Sequence, residues 1–174
     1  GGIDLERGAR VGDVETVNGG IEAADDVGAR SVSTVNGAIR FGKQARIDGD
    51  VETVNGGIFI DRGGNVRDDV STVNGAIGLV DTDLGGGIET VNGDVTVGVG
   101  SHVKGGIHVE KPSGNGMQWG KQRIPRIVIG PNAVVDGPLV FERDVVLYVH
   151  DSARIGSVRG ATAKRYSTAT PPQE

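Results

Sequence analysis

A four-residue phrase, Thr-Val-Asn-Gly, occurs five times and constrains the fold of this chain more than any other feature. Successive copies begin 18, 19, 19 and 18 residues apart, at Thr16, Thr34, Thr53, Thr72 and Thr90. A repeat this short cannot hold two helices, but it fits one coil of a β-solenoid, whose coils stack to bury their apolar faces. The sequence therefore predicts an all-β fold, a single-stranded parallel β-helix with 18–19 residues per coil.

Apolar residues recur at fixed offsets from each phrase and alternate with polar ones, as a strand with one buried face requires. The column before the phrase consists of Val14, Val32, Val51, Val70 and Ile88, and the first column after it of Ile21, Ile39, Ile58, Ile77 and Val95. We predict that two short strands meet at each Asn-Gly, since both residues tolerate the left-handed conformations of a sharp corner. About eight coils would give a column roughly 40 Å long at ~4.8 Å per coil.

The five asparagines of the phrase are predicted to stack and to form a ladder of side-chain amide hydrogen bonds. They are Asn18, Asn36, Asn55, Asn74 and Asn92. Ordinary solvated turn residues are the alternative, but such turns would accept Asp or Ser in some copies. The valine of the phrase has the parity of an outward residue, yet we expect it to be buried, because an exposed stripe of valines is an aggregation hazard unless a partner covers it.

The segments that join successive coils are variable and rich in Asp, Arg and Gly, and we interpret them as solvated third sides. Their acidic pairs, such as Asp25-Asp26 and Asp68-Asp69, offer the hard oxygen ligands that calcium prefers. Adjacent aspartates more commonly keep a surface soluble and prevent edge pairing. Glu and Ser alternate along one column, which avoids stacking like charges and requires no ligand. We predict no metal or cofactor site from these residues.

Residues 111–126 break the pattern and are predicted to form a protruding loop because of their proline and glycine content. Aromatic residues and arginine are enriched at the energetic centres of interfaces, so this loop is the candidate contact with a partner. The residues concerned are Met117, Trp119, Lys121 and Arg123. The alternative is that Trp119 folds back to cover the side of the solenoid. We assign 1–159 to the β-helix domain and 160–174 to a flexible tail.

Composition excludes several classes of function. Lys and Arg number 18 against 23 Asp and Glu, and a net charge of -5 gives no attractive field toward nucleic acid. The chain has no cysteine for disulfides or thiolate metal sites. It also has no run of apolar residues long enough to span a membrane.

The three histidines are the remaining candidates for chemistry. His102 and His108 are six residues apart with Glu110 nearby, but a metal site needs three or four convergent ligands, so we interpret them as solvated surface residues. The stretch Ile-Gly-Pro-Asn-Ala-Val resembles the six-residue steps of hexapeptide-repeat acyltransferases, while the Thr-Val-Asn-Gly coils violate their pattern. If the chain belonged to that class, His150 would be its general base. The sequence predicts no catalytic residue.

The repeated Val-x-Thr-Val-Asn-Gly-x-Ile and the closing Ile-Gly-Pro-Asn-Ala-Val-Val-Asp-Gly resemble bacterial envelope proteins of the adhesin-like β-strand-repeat type, a family without an assigned activity. More distantly they resemble bactofilins, which are polymerising β-helical cytoskeletal proteins. The resemblance covers about residues 10–158 and implies a right-handed β-helix. It also implies export, with removal of a signal peptide, to the periplasm or the cell surface.

The function that this resemblance implies is non-enzymatic: an envelope-associated structural or adhesin-like binding module. Its partner would be an unknown protein or cell-surface component. Self-association into a polymer-forming, bactofilin-like scaffold is the first alternative. A hexapeptide-type acyltransferase is the second.

Overall fold

The strands of the chain coil into a parallel β-solenoid of about eight turns with about 19 residues per turn. The computed structural model describes residues 1–112 and 124–172, and this part of the chain contains no helix. Each full turn contributes one strand to each of three sheets, and each strand pairs in parallel with its equivalents in the neighbouring coils. The predicted fold class is confirmed.

The three sheets contain nine, seven and eight strands. Sheet A consists of β1 (Ile3–Leu5), β3 (Ile21–Ala23), β6 (Ile39–Phe41), β9 (Ile58–Ile60), β12 (Ile77–Leu79), β15 (Val95–Val97), β18 (Arg126–Ile129), β21 (Val146–His150) and β24 (Ala163–Tyr166). Sheet B consists of β4 (Gly28–Ala29), β7 (Arg46–Ile47), β10 (Asn65–Val66), β13 (Asp83–Leu84), β16 (His102–Val103), β19 (Val134–Val135) and β22 (Arg154–Ile155). Sheet C consists of β2 (Val14–Asn18), β5 (Val32–Asn36), β8 (Val51–Glu52), β11 (Val70–Ser71), β14 (Ile88–Thr90), β17 (Ile107–Val109), β20 (Leu139–Phe141) and β23 (Val158–Arg159).

One continuous apolar core fills the space between the sheets, because equivalent residues of successive coils lie in register. Sheet B contributes an inward column of its own, formed by Ala29, Ile47, Val66, Leu84, Val103 and Val135. The expectation that the connecting segments are only solvated third sides is therefore wrong. Each of them holds a two-residue strand that contributes one apolar side chain to this column, which is too short to show alternation in the sequence.

The Asn-Gly corner joins sheets C and A through a close backbone contact in every copy, and only in the first copy does its glycine, Gly19, have a positive φ, of 144°. Gly56 has no positive φ, but a Cβ atom on it would lie 2.0 Å from the carbonyl oxygen of Gly37 in the preceding coil. Left-handed residues stack instead at the corner between sheets A and B: Gly8, Asp26, Gln44, Gly63, Asp81, Gly100 and Asn132. The corner lies where the sequence placed it, but the reason given for its Asn-Gly pair is wrong for the four copies after the first.

In four of the five copies, the threonine of the phrase ties its coil to the glycine of the coil before it, whereas the buried hydroxyl of Thr90 has no hydrogen-bond partner among the described residues. The buried hydroxyl of Thr53 donates a hydrogen bond to the carbonyl oxygen of Gly37 at 2.9 Å. Thr34 and Thr72 make the same contact with the glycines of their preceding copies, also at 2.9 Å. The Thr-Val-Asn-Gly phrase is therefore a unit of contact between coils, which accounts for its constancy.

Replacing Gly56 by Ala is expected to lower the free energy of unfolding by about 1–3 kcal/mol, because the added methyl group forces two stacked backbones apart. The matched control is Gly12→Ala. Gly12 has no positive φ, and a Cβ atom there meets nothing within 4 Å. The control should stay within about 0.5 kcal/mol of the wild type in urea unfolding. Equal losses in the two variants would contradict the close-contact account of the corner.

The solenoid continues beyond residue 159, where the sequence placed the start of a flexible tail. Residues Ala163–Tyr166 form β24, the ninth strand of sheet A, and pair with β21. Tyr166 is 6% exposed, and its ring centroid lies 5.0 Å from that of His150 in an edge-on arrangement. The sequence hides this strand because its other three residues are Ala, Lys and Arg, so Tyr166 is its one large side chain.

The burial of Tyr166 predicts a loss of stability at high pH. Burial raises the pKa of its hydroxyl above the usual value, and the charge of Arg126 opposes this more weakly. The folded state therefore holds the tyrosine proton more tightly than the unfolded state. This contribution is complete below about pH 10 and is lost as the pH rises through the folded-state pKa.

Urea unfolding of the wild type and of Tyr166→Phe between about pH 8 and pH 11 tests this expectation. The wild type should lose stability more steeply than the variant above about pH 10, because the variant has no hydroxyl to ionise. Parallel curves would show that Tyr166 is not held in a buried position.

Candidate functional site: the outer face of sheet C

The outward side of sheet C carries two columns of side chains that run along the solenoid. The first column is acidic or polar and consists of Glu15, Ser33, Glu52, Ser71, Glu89 and His108, which lie in register. The second column, two residues further along each strand, is the valine of the phrase. Stacking therefore converts a feature that occurs once per repeat into a continuous surface feature.

The valine column lies on the surface, so the expectation that it is buried is wrong. Val17 is 58% exposed, Val35 and Val73 are each 38% exposed, and Val54 and Val91 are half-buried. Val14 and Thr16 point inward, so the alternation of the strand directs the valine that follows Thr16 outward. The chain turns only at the Asn-Gly after this valine. We call this column the valine stripe.

The predicted asparagine ladder is confirmed, and it borders the valine stripe at the corner. The Nδ2 atom of each asparagine donates to the Oδ1 atom of the asparagine one coil earlier. The four bonds measure 2.8–2.9 Å and join Asn18, Asn36, Asn55, Asn74 and Asn92. All five side chains are exposed, so the ladder is a surface feature and not a buried one.

Arg143 ends the ladder at the point where the phrase stops recurring. The last asparagine, Asn92, has no sixth asparagine above it, because residues 110–125 stand between β17 and β18 in place of the next corner. The Nη1 atom of Arg143, two coils further on, donates to Asn92 Oδ1 at 2.7 Å and to the Val91 carbonyl at 2.9 Å. The guanidinium therefore satisfies the terminal acceptor.

Asn55→Ala is expected to destabilise the protein more than Asn18→Ala, because Asn55 has a ladder bond on each side and Asn18 has one. Because the Asn55 side chain is exposed, the expected loss of unfolding free energy is about 0.5–1.5 kcal/mol, below the penalty of a buried amide left without partners. Urea melts of the two variants provide the measurement. Equal losses would show that the ladder bonds contribute nothing beyond local turn propensity.

His108 lies among carboxylates from three coils, and Val140 follows it in the first column. Its Nδ1 atom is 3.8 Å from Glu89 Oε1 and 3.9 Å from Glu110 Oε1, and its Nε2 atom is hydrogen-bonded to Glu142. Glu89, His108 and Glu110 place one ligand atom each within 4.8 Å of one another. Within residues 1–112 and 124–172, no other group of three His, Asp or Glu side chains does so. We call these residues, with Glu142, the His108 cluster.

The structure separates the other histidines from this cluster. His102 lies on sheet B with its Nε2 atom 2.5 Å from Asp136 Oδ2, so the trio considered from the sequence is assembled only in part. The Nδ1 atom of His150 accepts hydrogen bonds from the backbone N–H and the hydroxyl of Ser152, at 3.0 and 2.8 Å. These bonds close a turn within one coil.

Two members of the His108 cluster escaped the sequence interpretation. Glu89 belongs to the alternating Glu and Ser column, and His108 follows it in the same column one coil of 19 residues later. The repeat period alone could therefore have placed Glu89 beside His108. Glu142 has no such signal, because the insertion shifts it 32 residues from Glu110. Only the three-dimensional register brings it beside His108.

The candidate partner-contact residues of the loop, Met117, Trp119, Lys121 and Arg123, lie outside the described residues. A partner contact there stays a prediction.

Two shallow hollows lie on either side of the His108 cluster. One, of about 380 Å³, is lined by Gly86, Gly87, Gly105, Gly106 and Pro138 together with Glu89 and His108. The other, of about 170 Å³, runs along the valine stripe and includes Val54, Val73, Val91 and Glu110. The outer face of sheet C thus combines two shallow hollows, an apolar stripe and a cluster of side chains that can ligate a metal ion.

Comparison with known proteins adds no assignment: no protein-family model, curated protein or solved structure matches this chain. The resemblance to adhesin-like repeats and to bactofilins therefore stays a prediction from the sequence. The function has to be argued from the geometry of the outer face.

Proposed function

We propose that the protein is a non-enzymatic binding module of the bacterial envelope, a rigid scaffold that presents the outer face of sheet C to a protein partner. The observation that carries the proposal is the exposure of the valine stripe. A soluble protein rarely leaves a contiguous apolar patch open to water without a binding role. The location at the envelope rests on the resemblance of the repeats.

The charges beside the stripe indicate the chemistry of its partner. Glu15, Glu52 and Glu89 border it on one side, and the uncharged asparagine ladder borders it on the other. A segment with apolar residues and neighbouring Lys or Arg side chains complements this arrangement in both hydrophobicity and charge. We therefore assign the stripe to an extended apolar and cationic segment of a partner protein. The stacked sheet is already ordered, so binding costs little reorganisation on this side.

A labelled decapeptide of alternating Val and Lys serves as the probe. It should bind the wild type saturably, and the double variant Val35→Ser, Val73→Ser should bind it about tenfold more weakly, which corresponds to about 1.4 kcal/mol of lost apolar contact. The matched control is Val99→Ser, since Val99 is 54% exposed but lies outside sheet C. Fluorescence anisotropy gives the affinities.

Two results would contradict the proposal. One is equal binding of a Ser-Lys decapeptide, which would reduce the interaction to charge. The other is an unchanged affinity in the double variant, which would remove the valine stripe from the contact.

The non-enzymatic part of the proposal rests on the roles already found for the polar residues. His150 is held by Ser152 and packs against Tyr166, and His102 is paired with Asp136. No helix within the described residues is long and apolar enough to cross a membrane.

A further inference from the structure

We propose that the His108 cluster binds a divalent transition-metal ion of the Zn²⁺ class. His108 Nδ1 and the carboxylates of Glu89 and Glu110 are the ligands, and Glu142 holds the imidazole in the binding orientation. This inference goes beyond the proposed function and does not depend on it, since the metal ligands include none of the valines of the stripe; Glu89 alone serves both, as a ligand and as a charge beside the stripe.

The hydrogen bond to Glu142 fixes which nitrogen of His108 is available. A carboxylate can only accept, so Nε2 carries the proton that joins the two groups, and in the neutral imidazole Nδ1 then carries a lone pair. That lone pair shares its surroundings with the carboxylates of Glu89 and Glu110. Among the described residues, no other cationic side chain lies within ion-pair distance of these two carboxylates. Within the described part of the chain, three acceptor atoms therefore converge on one point.

The separations fit a metal ion better than a proton. At 3.8 and 3.9 Å, the distances from Nδ1 to the two carboxylate oxygens exceed the 2.7–3.2 Å of a hydrogen bond. In a tetrahedral site with bonds of roughly 2.0–2.2 Å, two ligand atoms lie about 3.3–3.5 Å apart, so the carboxylates have to close in on Nδ1 by only a few tenths of an ångström. An ion placed among the three atoms would thus reach normal bond lengths after small rotations of two exposed glutamates.

Glu142 stands in the position of an outer-shell carboxylate. Metal-bound histidines characteristically donate their other ring N–H to a carboxylate or carbonyl, which fixes the ring and makes the ligating nitrogen more basic. The bond from His108 Nε2 to Glu142 has this form. It distinguishes the cluster from a chance group of surface acids, because it prepares one particular nitrogen for coordination.

The strands hold the ligands in place before any ion arrives. Glu89 and His108 are direct neighbours on β14 and β17, and the backbone N–H of Glu110 donates to the Thr90 carbonyl at 2.9 Å. An imidazole with two carboxylates favours zinc-like ions, since calcium and magnesium select oxygen ligands alone. Three protein ligands leave a fourth position for water or for a side chain of a partner.

Isothermal titration of the tag-free, chelator-treated protein with Zn²⁺ tests the site. The wild type should bind one ion per chain. His108→Asn should weaken binding by more than about 100-fold, above the range for losing an outer-shell partner, and Glu110→Gln should weaken it at least about tenfold. The matched control is His102→Asn, which removes a histidine paired with a single carboxylate and should leave the affinity unchanged.

The role of Glu142 has its own readout. Glu142→Gln keeps an acceptor for Nε2 but removes the charge, so Zn²⁺ affinity should fall by about 10-fold or more while binding remains one to one. The visible spectrum of bound Co²⁺ should keep its shape in this variant, because the ligands are unchanged, and should change in Glu110→Gln.

Three results would overturn the inference: no stoichiometric binding by the wild type, unchanged affinity in both His108→Asn and Glu110→Gln, or an equal loss in His102→Asn. Circular dichroism confirms that each variant is folded. Glu110→Gln keeps the test decisive if His108→Asn is unstable, since Glu110 is exposed. Val-Lys peptide binding, measured with and without Zn²⁺, shows separately whether the proposed contact on the stripe stands.

Discussion

The backbone contact between stacked corner glycines is the constraint on which the rest of the solenoid depends. The carbonyl oxygen of Gly37 lies where the Cβ atom of any other residue at position 56 would be, so the coils approach closely only if this position is glycine. That approach brings the Thr53 hydroxyl to the Gly37 carbonyl and Asn55 to Asn36. A single steric requirement thus explains three of the four residues of the phrase.

A fixed spacing between coils turns the sequence period into a surface. Because every coil presents its valine, its asparagine and its Glu or Ser at the same place, sheet C carries continuous columns and not scattered side chains. The same register places Glu89 under His108, whereas Glu110 and Glu142 occupy positions that would continue the valine stripe. The stripe and the His108 cluster are consecutive parts of one face, and the phrase ends where the ligand-type residues begin.

The sequence predicts features that repeat and misses those that occur once. The coils and the asparagine ladder follow from the 18–19 residue period. The outward direction of the valine does not follow from the period, because it depends on where the chain turns. The alternation along the strand predicts this direction correctly, whereas the argument from aggregation does not. Sheet B shows one inward residue per coil, too little for a periodicity argument. The position of Glu142 depends on the strand register after an insertion, and β24 has one large side chain, that of Tyr166. Neither feature belongs to a repeat, so the sequence period does not reveal it.

Hydrogen exchange at the corner amides tests the account most directly. The backbone N–H groups of Gly37 and Gly56 donate to the carbonyls of Asn55 and Asn74 in the next coil, at 3.0 and 2.9 Å. If the corner is a close contact between coils, these two amides exchange as slowly as that of Ile58 in the adjacent core strand, measured residue by residue by NMR. Exchange as fast as in a solvated turn, with Ile58 still protected, would contradict the account, because the corners would then not hold the coils together.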